Sequence, residues 1–292
     1  MESRKVLITG GSGFIGKPIL ELFKLNNINI SMIGRNRPKE FSGTFFEADL
    51  YKSSKSEIFK ILKLAKPTHL IHLAWYTEHE KFWNAEENII WINKTTNLIK
   101  SFCEVGGRSI IVAGTCAEYS WNNSTKLSEN SKCEPNTIYG ISKNVTRQLA
   151  SKICDKARVD LAWCRIFFPY GPGDNQKKFI PSLRKIIDKK KKPFEIKQPG
   201  SRDYLHVNDI AEAIFAIYNN NKNGVINICS GISYDLKDLM IKVLKHRGEN
   251  FNERKLHIFY KKKNIVNIVG NNRTLLNLGW KPKNDLYLYL LE

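Results

Sequence analysis

A glycine-rich turn directly follows the first apolar run of the chain, and it constrains the fold more than any other feature. The run is Val6 to Ile8, and the turn from Gly10 to Gly16 reads Gly-Gly-Ser-Gly-Phe-Ile-Gly. An amphipathic stretch and a second apolar run, Ile28 to Ile33, come next, as in a βαβ unit whose first turn holds a pyrophosphate. The sequence therefore predicts a dinucleotide-binding domain built on a parallel sheet.

Three glycines of this turn have separate expected roles. Gly10 permits the sharp exit from the strand, Gly13 lets backbone N–H groups approach the phosphates, and Gly16 lets the following helix pack closely. Phe14 and Ile15 complete the turn. We expect all five residues to contact the cofactor.

The end of the second apolar run indicates which dinucleotide binds. Proteins that select NAD usually carry an acidic residue here for the ribose hydroxyls, but this chain has Gly34 followed by Arg35 and, two residues later, Arg37. Arg35 can meet the 2′-phosphate of NADP(H), so NADP(H) is favoured and NAD(H) is the alternative. The competing interpretation is that both arginines contact only water.

A third strand, Phe45 to Ala48, ends at Asp49 and Leu50. A carboxylate at this position can accept a hydrogen bond from the adenine amino group, and Leu50 would adjoin the base. Asp49 could equally cap the next helix, Ser53 to Ala65. The sequence leaves both roles open.

Two more strands and a long helix extend the pattern. The fourth strand, Leu70 to Ala74, places Ala74 at the carboxyl end of a parallel strand, where ligands of such sheets bind. A helix over Ala85 to Cys103 and a fifth strand over Ser109 to Ala113 follow. This alternation predicts an α/β fold with helices on both faces of the sheet.

A tyrosine and a lysine four residues apart, Tyr139 and Lys143, begin the next helix. Residues at this spacing share a helix face. A phenol with a pKa of about 10 is a poor acid or base at neutral pH, but an adjacent ammonium and a nicotinamide cation stabilise its phenolate. Thr115, just after the fifth strand, can hold a substrate oxygen beside the phenol. The combination of Thr115, Tyr139 and Lys143 therefore predicts an enzyme that transfers a proton to or from the substrate oxygen.

Size and charge limit the class of protein. With 292 residues, the chain can form one large α/β unit or two interlocked lobes. No apolar run approaches the roughly 20 residues that a membrane-spanning helix needs, so we expect a cytoplasmic protein without a membrane partner. The net charge of +19 comes from lysines spread over the whole chain, so we expect no nucleic-acid partner.

Cysteine and histidine spacing argues against a metal site. The six cysteines are scattered without Cys-x-x-Cys spacing, which favours reduced, buried thiols. His69 and His72 lie three apart on one predicted strand, so their side chains face opposite sides of the sheet. We therefore expect no bound metal.

Together these motifs resemble the extended short-chain dehydrogenase/reductase superfamily, in particular its nucleotide-sugar epimerases, dehydratases and 4-keto reductases. The likeness covers nearly the whole chain and includes further motifs: His72-Leu-Ala74, Thr115 four residues before Tyr119, Arg202-Asp-Tyr-Leu-His-Val207 and Leu278-Gly-Trp280. It implies that Thr115, Tyr139 and Lys143 are catalytic, and that Tyr139 and Lys143 also contact the cofactor.

The resemblance also implies a substrate site. Arg202 would contact the diphosphate of a nucleotide sugar, for which the guanidinium fork is suited, and Lys178 stands at a second substrate-binding position. The alternative for Arg202 is a structural salt bridge with Asp203.

The resulting expectation is a doubly wound Rossmann-type parallel sheet with a smaller α/β C-terminal substrate lobe. Residues 1–167 would form the dinucleotide-binding domain, which also receives about 206–229, and residues 168–292 would mainly form the substrate-binding lobe, interleaved with the first. The resemblance further implies a homodimer that pairs the helices Ala85 to Cys103 and Thr137 to Ile153.

Departures from the family narrow the expected reaction. Its dehydratases carry Asp-Glu directly after the catalytic threonine, whereas Cys116 and Ala117 follow here. Reductases that also epimerise at C3 and C5 have Cys and His where Ala117 and Lys178 stand. We therefore expect reduction of a nucleotide-linked 4-keto-6-deoxy sugar. A 4-epimerase with tightly bound NAD is the alternative, and a non-catalytic NADP-binding sensor or scaffold is a third interpretation.

Overall fold

The computed structural model describes residues 4–121, 126–248 and 265–291. Its strands, in chain order, are β1 (Val6–Thr9), β2 (Ile30–Gly34), β3 (Thr44–Glu47), β4 (His69–His72), β5 (Ser109–Thr115), β6 (Asp160–Ile166), β7 (Phe168–Tyr170), β8 (Ser201–Arg202), β9 (Tyr204–His206), β10 (Gly224–Ile228) and β11 (Tyr234–Asp235). The helices are α1 (Gly16–Leu25), α2 (Lys55–Ala65), α3 (Glu87–Glu104), α4 (Ile138–Ala157), α5 (Phe179–Ile187), α6 (Val207–Asn219), α7 (Leu236–His246), α8 (Arg273–Leu276) and α9 (Leu286–Leu291).

A seven-stranded sheet forms the centre of the molecule, in the order β10-β6-β5-β4-β1-β2-β3. Every neighbouring pair in it is parallel. Val6 and Ile8 of β1 point into one apolar core, while Leu7 points into another. Both faces of the sheet are therefore buried, as parallel sheets require.

Helices cover each face of this sheet. Phe23 of α1 and Ile214 of α6 belong to one core, and Leu62 of α2, Phe102 of α3 and Ala150 of α4 belong to the other. Successive βα units thus wind in both directions from β1. This arrangement confirms the doubly wound α/β fold predicted from the sequence.

A third core lies beyond β6. It is built mainly from apolar side chains of α5, α7 and α9, including Leu183, Val243 and Leu286. In this part of the chain β7 pairs with β9 and β8 pairs with β11, while β10 joins the main sheet. The predicted boundary at residue 167 and the division into two interleaved lobes stay predictions.

Candidate active site

The carboxyl ends of β1 and β4 lie side by side, at the point where the chain winds away from the sheet in opposite directions. Gly10 follows β1 with a φ of +74°, and a Cβ atom there would lie 2.7 Å from the backbone nitrogen of Ala74. A side chain at position 10 would therefore separate the two strand ends. Two residues predicted to bind the cofactor, Gly10 and Ala74, are in direct contact at a place where parallel sheets bind ligands.

The start of α1 fits a dinucleotide pyrophosphate. The Gly13 N–H donates to the Gly10 carbonyl at 3.0 Å and closes the turn. A Cβ atom on Gly16 would lie 2.3 Å from the same carbonyl oxygen, so only glycine can begin the helix this close to the turn. In the described part of the chain no side chain caps α1, which leaves its first N–H groups available to an anion.

Asp49 caps a turn and does not cap α2. Its Oδ1 accepts the Tyr51 N–H at 3.0 Å, whereas α2 begins with a capping box made by Ser54 and Glu57. Leu50, next to it, is partly buried and packs against the core under α2 and α3. Contact of Asp49 and Leu50 with adenine stays a prediction.

The two arginines after β2 differ in their surroundings. Arg37 donates to the backbone carbonyls of Phe41, at 3.1 Å, and Gly43, at 3.2 Å. The Arg35 side chain is exposed and makes no hydrogen bond or ion pair within the described residues. Of the two, Arg35 is therefore the cation that a cofactor phosphate could engage.

Thr115, Tyr139 and Lys143 meet at the carboxyl end of β5. Thr137 caps α4 by accepting the Gly140 N–H at 3.1 Å, which places Tyr139 in the first helical turn. The Tyr139 phenol lies near the Thr115 side chain, which acts to lower the pKa of the phenol. One turn along α4, Lys143 Nζ donates to the carbonyl oxygen of Ala113 at 2.7 Å. The spacing seen in the sequence thus brings together the groups that proton transfer needs.

Burial dominates the acid–base properties of this trio. Burial of the phenol raises the pKa of Tyr139 above its usual value, although the Thr115 side chain acts to lower it. Burial also lowers the pKa of the Lys143 ammonium to about 7, opposed by the negative charge of Glu118. In the chain by itself the loss of solvent outweighs the neighbouring groups, and the lowering expected from Lys143 together with a nicotinamide cation stays a prediction.

Aromatic rings pack beside Tyr139, which the sequence analysis did not anticipate. The Tyr139 ring packs edge-on against Phe82 at 4.9 Å and Trp83 at 5.9 Å between ring centres. Trp83 in turn packs edge-on against Trp121 at 5.9 Å. The available signal was the concentration of aromatic residues between β4 and α3, a segment that passes the end of the sheet. These rings give the site an apolar wall beside Tyr139.

Arg202 is buried and is held by backbone carbonyls. It donates to the carbonyl oxygens of Ser201 and Val266 and to Gln198 Oε1. Asp203 instead accepts backbone N–H groups of Ser230, Gly231 and Gly270. The alternative of an Arg202–Asp203 salt bridge is therefore wrong, because within the described residues the two side chains bond to other groups. Contact of Arg202 with a substrate diphosphate stays a prediction.

Lys178 reaches from the start of α5 over the glycine turn. Its Nζ lies 2.7 Å from Asp174 Oδ1 and 5.3 Å from the centre of the Phe14 ring. The contact between Lys178 and Phe14 links the third core to the turn that fits the pyrophosphate. Its role in binding substrate stays a prediction.

Sequence reasoning missed Glu118. This carboxylate is wholly buried, and it accepts the Thr115 N–H and the Arg165 Nε–H, both at 2.9 Å. The signal was present as a Thr-x-x-Glu pattern, which is typical of a capping box.

No group of three or more potential metal-ligating His, Cys, Asp or Glu side chains occurs among the residues that the structure describes.

A doubly wound sheet with this glycine turn and a Thr-Tyr-Lys trio at the end of β5 defines a nucleotide-dependent enzyme of the short-chain dehydrogenase/reductase type. The model of the NAD dependent epimerase/dehydratase family matches residues 6–229. The chain belongs to this family. It is therefore an NAD(P)-dependent enzyme of the extended short-chain dehydrogenase/reductase superfamily.

The names of several similar proteins describe reactions at C4 of nucleotide sugars. GDP-6-deoxy-D-talose 4-dehydrogenase of Aggregatibacter actinomycetemcomitans is 26% identical over 281 residues, covering 94% of this chain and 90% of that protein. dTDP-4-dehydro-6-deoxyglucose reductase of Escherichia coli is 27% identical over 306 residues, covering 97% and 94%. Among solved structures, UDP-glucose 4-epimerase of Thermus thermophilus in complex with NAD has a TM-score of 0.80 at 20% identity, covering 98% of this chain and 96% of that one.

No helix within the described ranges is both long and apolar enough to cross a membrane.

Proposed function

We propose that this chain is an NAD(P)H-dependent reductase that acts on the C4 carbonyl of a nucleotide-linked 4-keto-6-deoxy sugar. The observation that carries the proposal is the meeting of Thr115, Tyr139 and Lys143 beside a turn that fits a dinucleotide. Two similar proteins are named for dehydrogenase or reductase chemistry at C4 of 6-deoxy sugars, which supports the same class of substrate here.

In this proposal the Thr115 hydroxyl and the Tyr139 phenol hydrogen-bond to the substrate carbonyl oxygen. Burial keeps Tyr139 protonated by raising its pKa, so the phenol can give its proton to the oxygen as charge develops there. Lys143, on the same helix face, stabilises the phenolate that is left. A bound nicotinamide would supply the hydride to C4.

The residues after Thr115 favour reduction over dehydration. Burial raises the pKa of the Cys116 thiol, so this group stays neutral, and Ala117 has no acidic or basic side chain. The turn therefore offers no carboxylate pair to remove water from the sugar. Reduction of a carbonyl to an alcohol needs no acid–base side chain beyond those of Thr115, Tyr139 and Lys143.

We further infer that the enzyme prefers NADP(H) over NAD(H). The exposed guanidinium of Arg35 is suited to a 2′-phosphate, and β2 ends in Gly34, which lacks the carboxylate that would bind the ribose hydroxyls. Arg202 and Lys178 are assigned to the nucleotide sugar, which would lie between the dinucleotide domain and the substrate lobe, residues 168–292.

We also propose a homodimer formed through α3 and α4. Ile141, Val145 and Leu149 are spaced four apart on α4 and are 46%, 37% and 44% exposed, while Ile89 and Ile90 of α3 are 57% and 42% exposed. Such a stripe is larger than a soluble helix pair usually leaves open to solvent. Pairing with a second copy would cover it.

The experiment that tests the reaction is incubation of the purified protein with NADPH or NADH and a panel of nucleotide-linked 4-keto-6-deoxy sugars. A reductase consumes one cofactor for each sugar reduced. A 4-epimerase would interconvert nucleotide hexoses with no net cofactor consumption, and this result would replace the proposal. Cofactor binding without turnover of any sugar would favour a sensor or scaffold.

A further inference from the structure

Glu118 ties the turn after Thr115 to the neighbouring strand. Its Oε1 accepts the Thr115 N–H at 2.9 Å and the Trp163 Nε1–H at 2.8 Å. Its Oε2 accepts the Arg165 Nε–H at 2.9 Å, and Arg147 of α4 lies 3.9 Å away. A buried carboxylate with this many donors is fixed in one position.

The partner of Glu118 is itself held rigidly. Arg165 donates to the Glu129 carbonyl at 3.1 Å and to Cys133 Sγ at 2.9 Å, and its guanidinium lies 4.3 Å from the centre of the Tyr119 ring. A buried ion pair adds little net stability compared with apolar residues of similar volume. The arrangement is therefore better explained by the geometry that it imposes than by the stability that it supplies.

The same turn directs the hydroxyl of Thr115. Thr115 Oγ1 accepts the Ala117 N–H at 3.2 Å while Glu118 accepts the Thr115 N–H, so the two residues form a reciprocal capping box around residues 116–118. Oγ1 accepts a backbone hydrogen there and keeps its own proton free to donate elsewhere. The Tyr139 phenol lies near enough to the Thr115 side chain for Thr115 to lower the pKa of the phenol.

We propose that Glu118 is a positioning residue, which aims the Thr115 hydroxyl at Tyr139 and at the substrate carbonyl by holding the Thr115 backbone. The inference rests on the proposed function for its kinetic consequence, because it assigns Thr115 to the carbonyl oxygen. Glu118 does not touch substrate or cofactor in this account. It acts through Thr115 alone.

A double-mutant cycle tests this dependence. Glu118→Ala, which removes the acceptor of the Thr115 N–H, is made in the parent and in Thr115→Ala, where the backbone N–H is kept but the hydroxyl is gone. We expect Glu118→Ala to lower kcat about tenfold or more in the parent and by less than about twofold in Thr115→Ala, with the KM for cofactor unchanged in both. The same factor in both backgrounds would overturn the proposal, since it would mean that Glu118 supports only the fold.

Trp163→Phe is the matched control. It removes a different hydrogen bond from the same oxygen of Glu118 and leaves the Thr115 contact in place. We expect it to lower the melting temperature and to change kcat by the same factor in both backgrounds. If Glu118→Ala does not fold, the cycle uses Glu118→Ala with Arg165→Gln, which removes the guanidinium that the first substitution leaves unpaired.

A structural measurement separates this proposal from the proposed reaction. Crystal structures of the parent and of Glu118→Ala give the Thr115 side-chain torsion and its distance to the Tyr139 hydroxyl without any turnover. We expect the Thr115 torsion to change and the Thr115 hydroxyl to move away from the Tyr139 hydroxyl in the variant. An unmoved Thr115 would contradict the role of Glu118 even in an active reductase, whereas a parent inactive on every sugar would contradict only the reaction.

Discussion

Lys143 Nζ lies 3.8 Å from the centre of the Trp75 indole ring. The aromatic face attracts the ammonium and offsets part of the cost of burying it. Trp75 is itself fixed, because its Nε1–H donates to Asn88 Oδ1 at 2.8 Å and its ring stacks on Trp91 at 5.8 Å. The position of Lys143 is thus set by the ends of two neighbouring strands, with Trp75 after β4 and Ala113 in β5.

Removal of this aromatic face should change the pH dependence of the reaction. The pKa of Lys143 is about 7, and the charged form is present below it, so we expect kcat to fall as pH rises through that value. Trp75→Leu removes an interaction that favours the charged form, so the fall should begin at lower pH. Trp75→Phe, which keeps a ring, should move the profile less. Superimposable pH profiles for the parent and Trp75→Leu would contradict this role.

Loss of the Tyr139 hydroxyl should affect turnover and spare cofactor binding. Tyr139→Phe keeps the ring that packs against Phe82 and Trp83, so we expect the fold to be unchanged. Proton transfer by a positioned group contributes roughly 10² to 10⁴ in rate, and kcat should fall by about that factor. Lys143→Ala should lower kcat and weaken cofactor binding as well. Reduction of a 4-keto sugar by Tyr139→Phe at the parent rate would exclude Tyr139 as the proton donor.

Arg35 should determine the difference in affinity between NADP(H) and NAD(H). We expect NADP(H) to bind about tenfold more tightly than NAD(H), or about 1.4 kcal/mol, and Arg35→Ala to remove most of this difference. Arg37→Ala is the control, because its guanidinium is engaged by the Phe41 and Gly43 carbonyls. Calorimetric titration of both cofactors measures the difference. Equal affinities in the parent would refute the preference.

A charge placed in the exposed stripe of α4 should dissociate the dimer. Val145→Lys puts an ammonium between Ile141 and Leu149, where a second copy would have to bury it. We expect the parent to be a dimer at micromolar concentration by light scattering and the variant to be a monomer. Leu25→Lys, at an 80% exposed position of α1, should leave the mass unchanged. A monomeric parent would contradict the proposed homodimer.

The sequence by itself determined the class of fold and the location of the trio. The glycine turn, the alternation of apolar runs and the Tyr139–Lys143 spacing are local patterns, and local geometry is enough to interpret them. Helix α3 was predicted over Ala85 to Cys103 and lies at Glu87–Glu104, so even its ends were placed within two residues. The short strands β7, β8 and β9 were not predicted, because they owe their structure to pairing with distant segments.

Only the tertiary structure decided what each charged side chain does. Glu118 pairs with Arg165, 47 residues away, and Arg202 binds the Val266 carbonyl, 64 residues away, and no local pattern specifies such partners. The sequence offered only the neighbouring Lys143 and a bound nicotinamide as influences on the pKa of Tyr139, whereas burial in the folded chain acts to raise this pKa. The free energy of an ionised group depends on all the atoms that replace its water, and folding brings those atoms from throughout the chain.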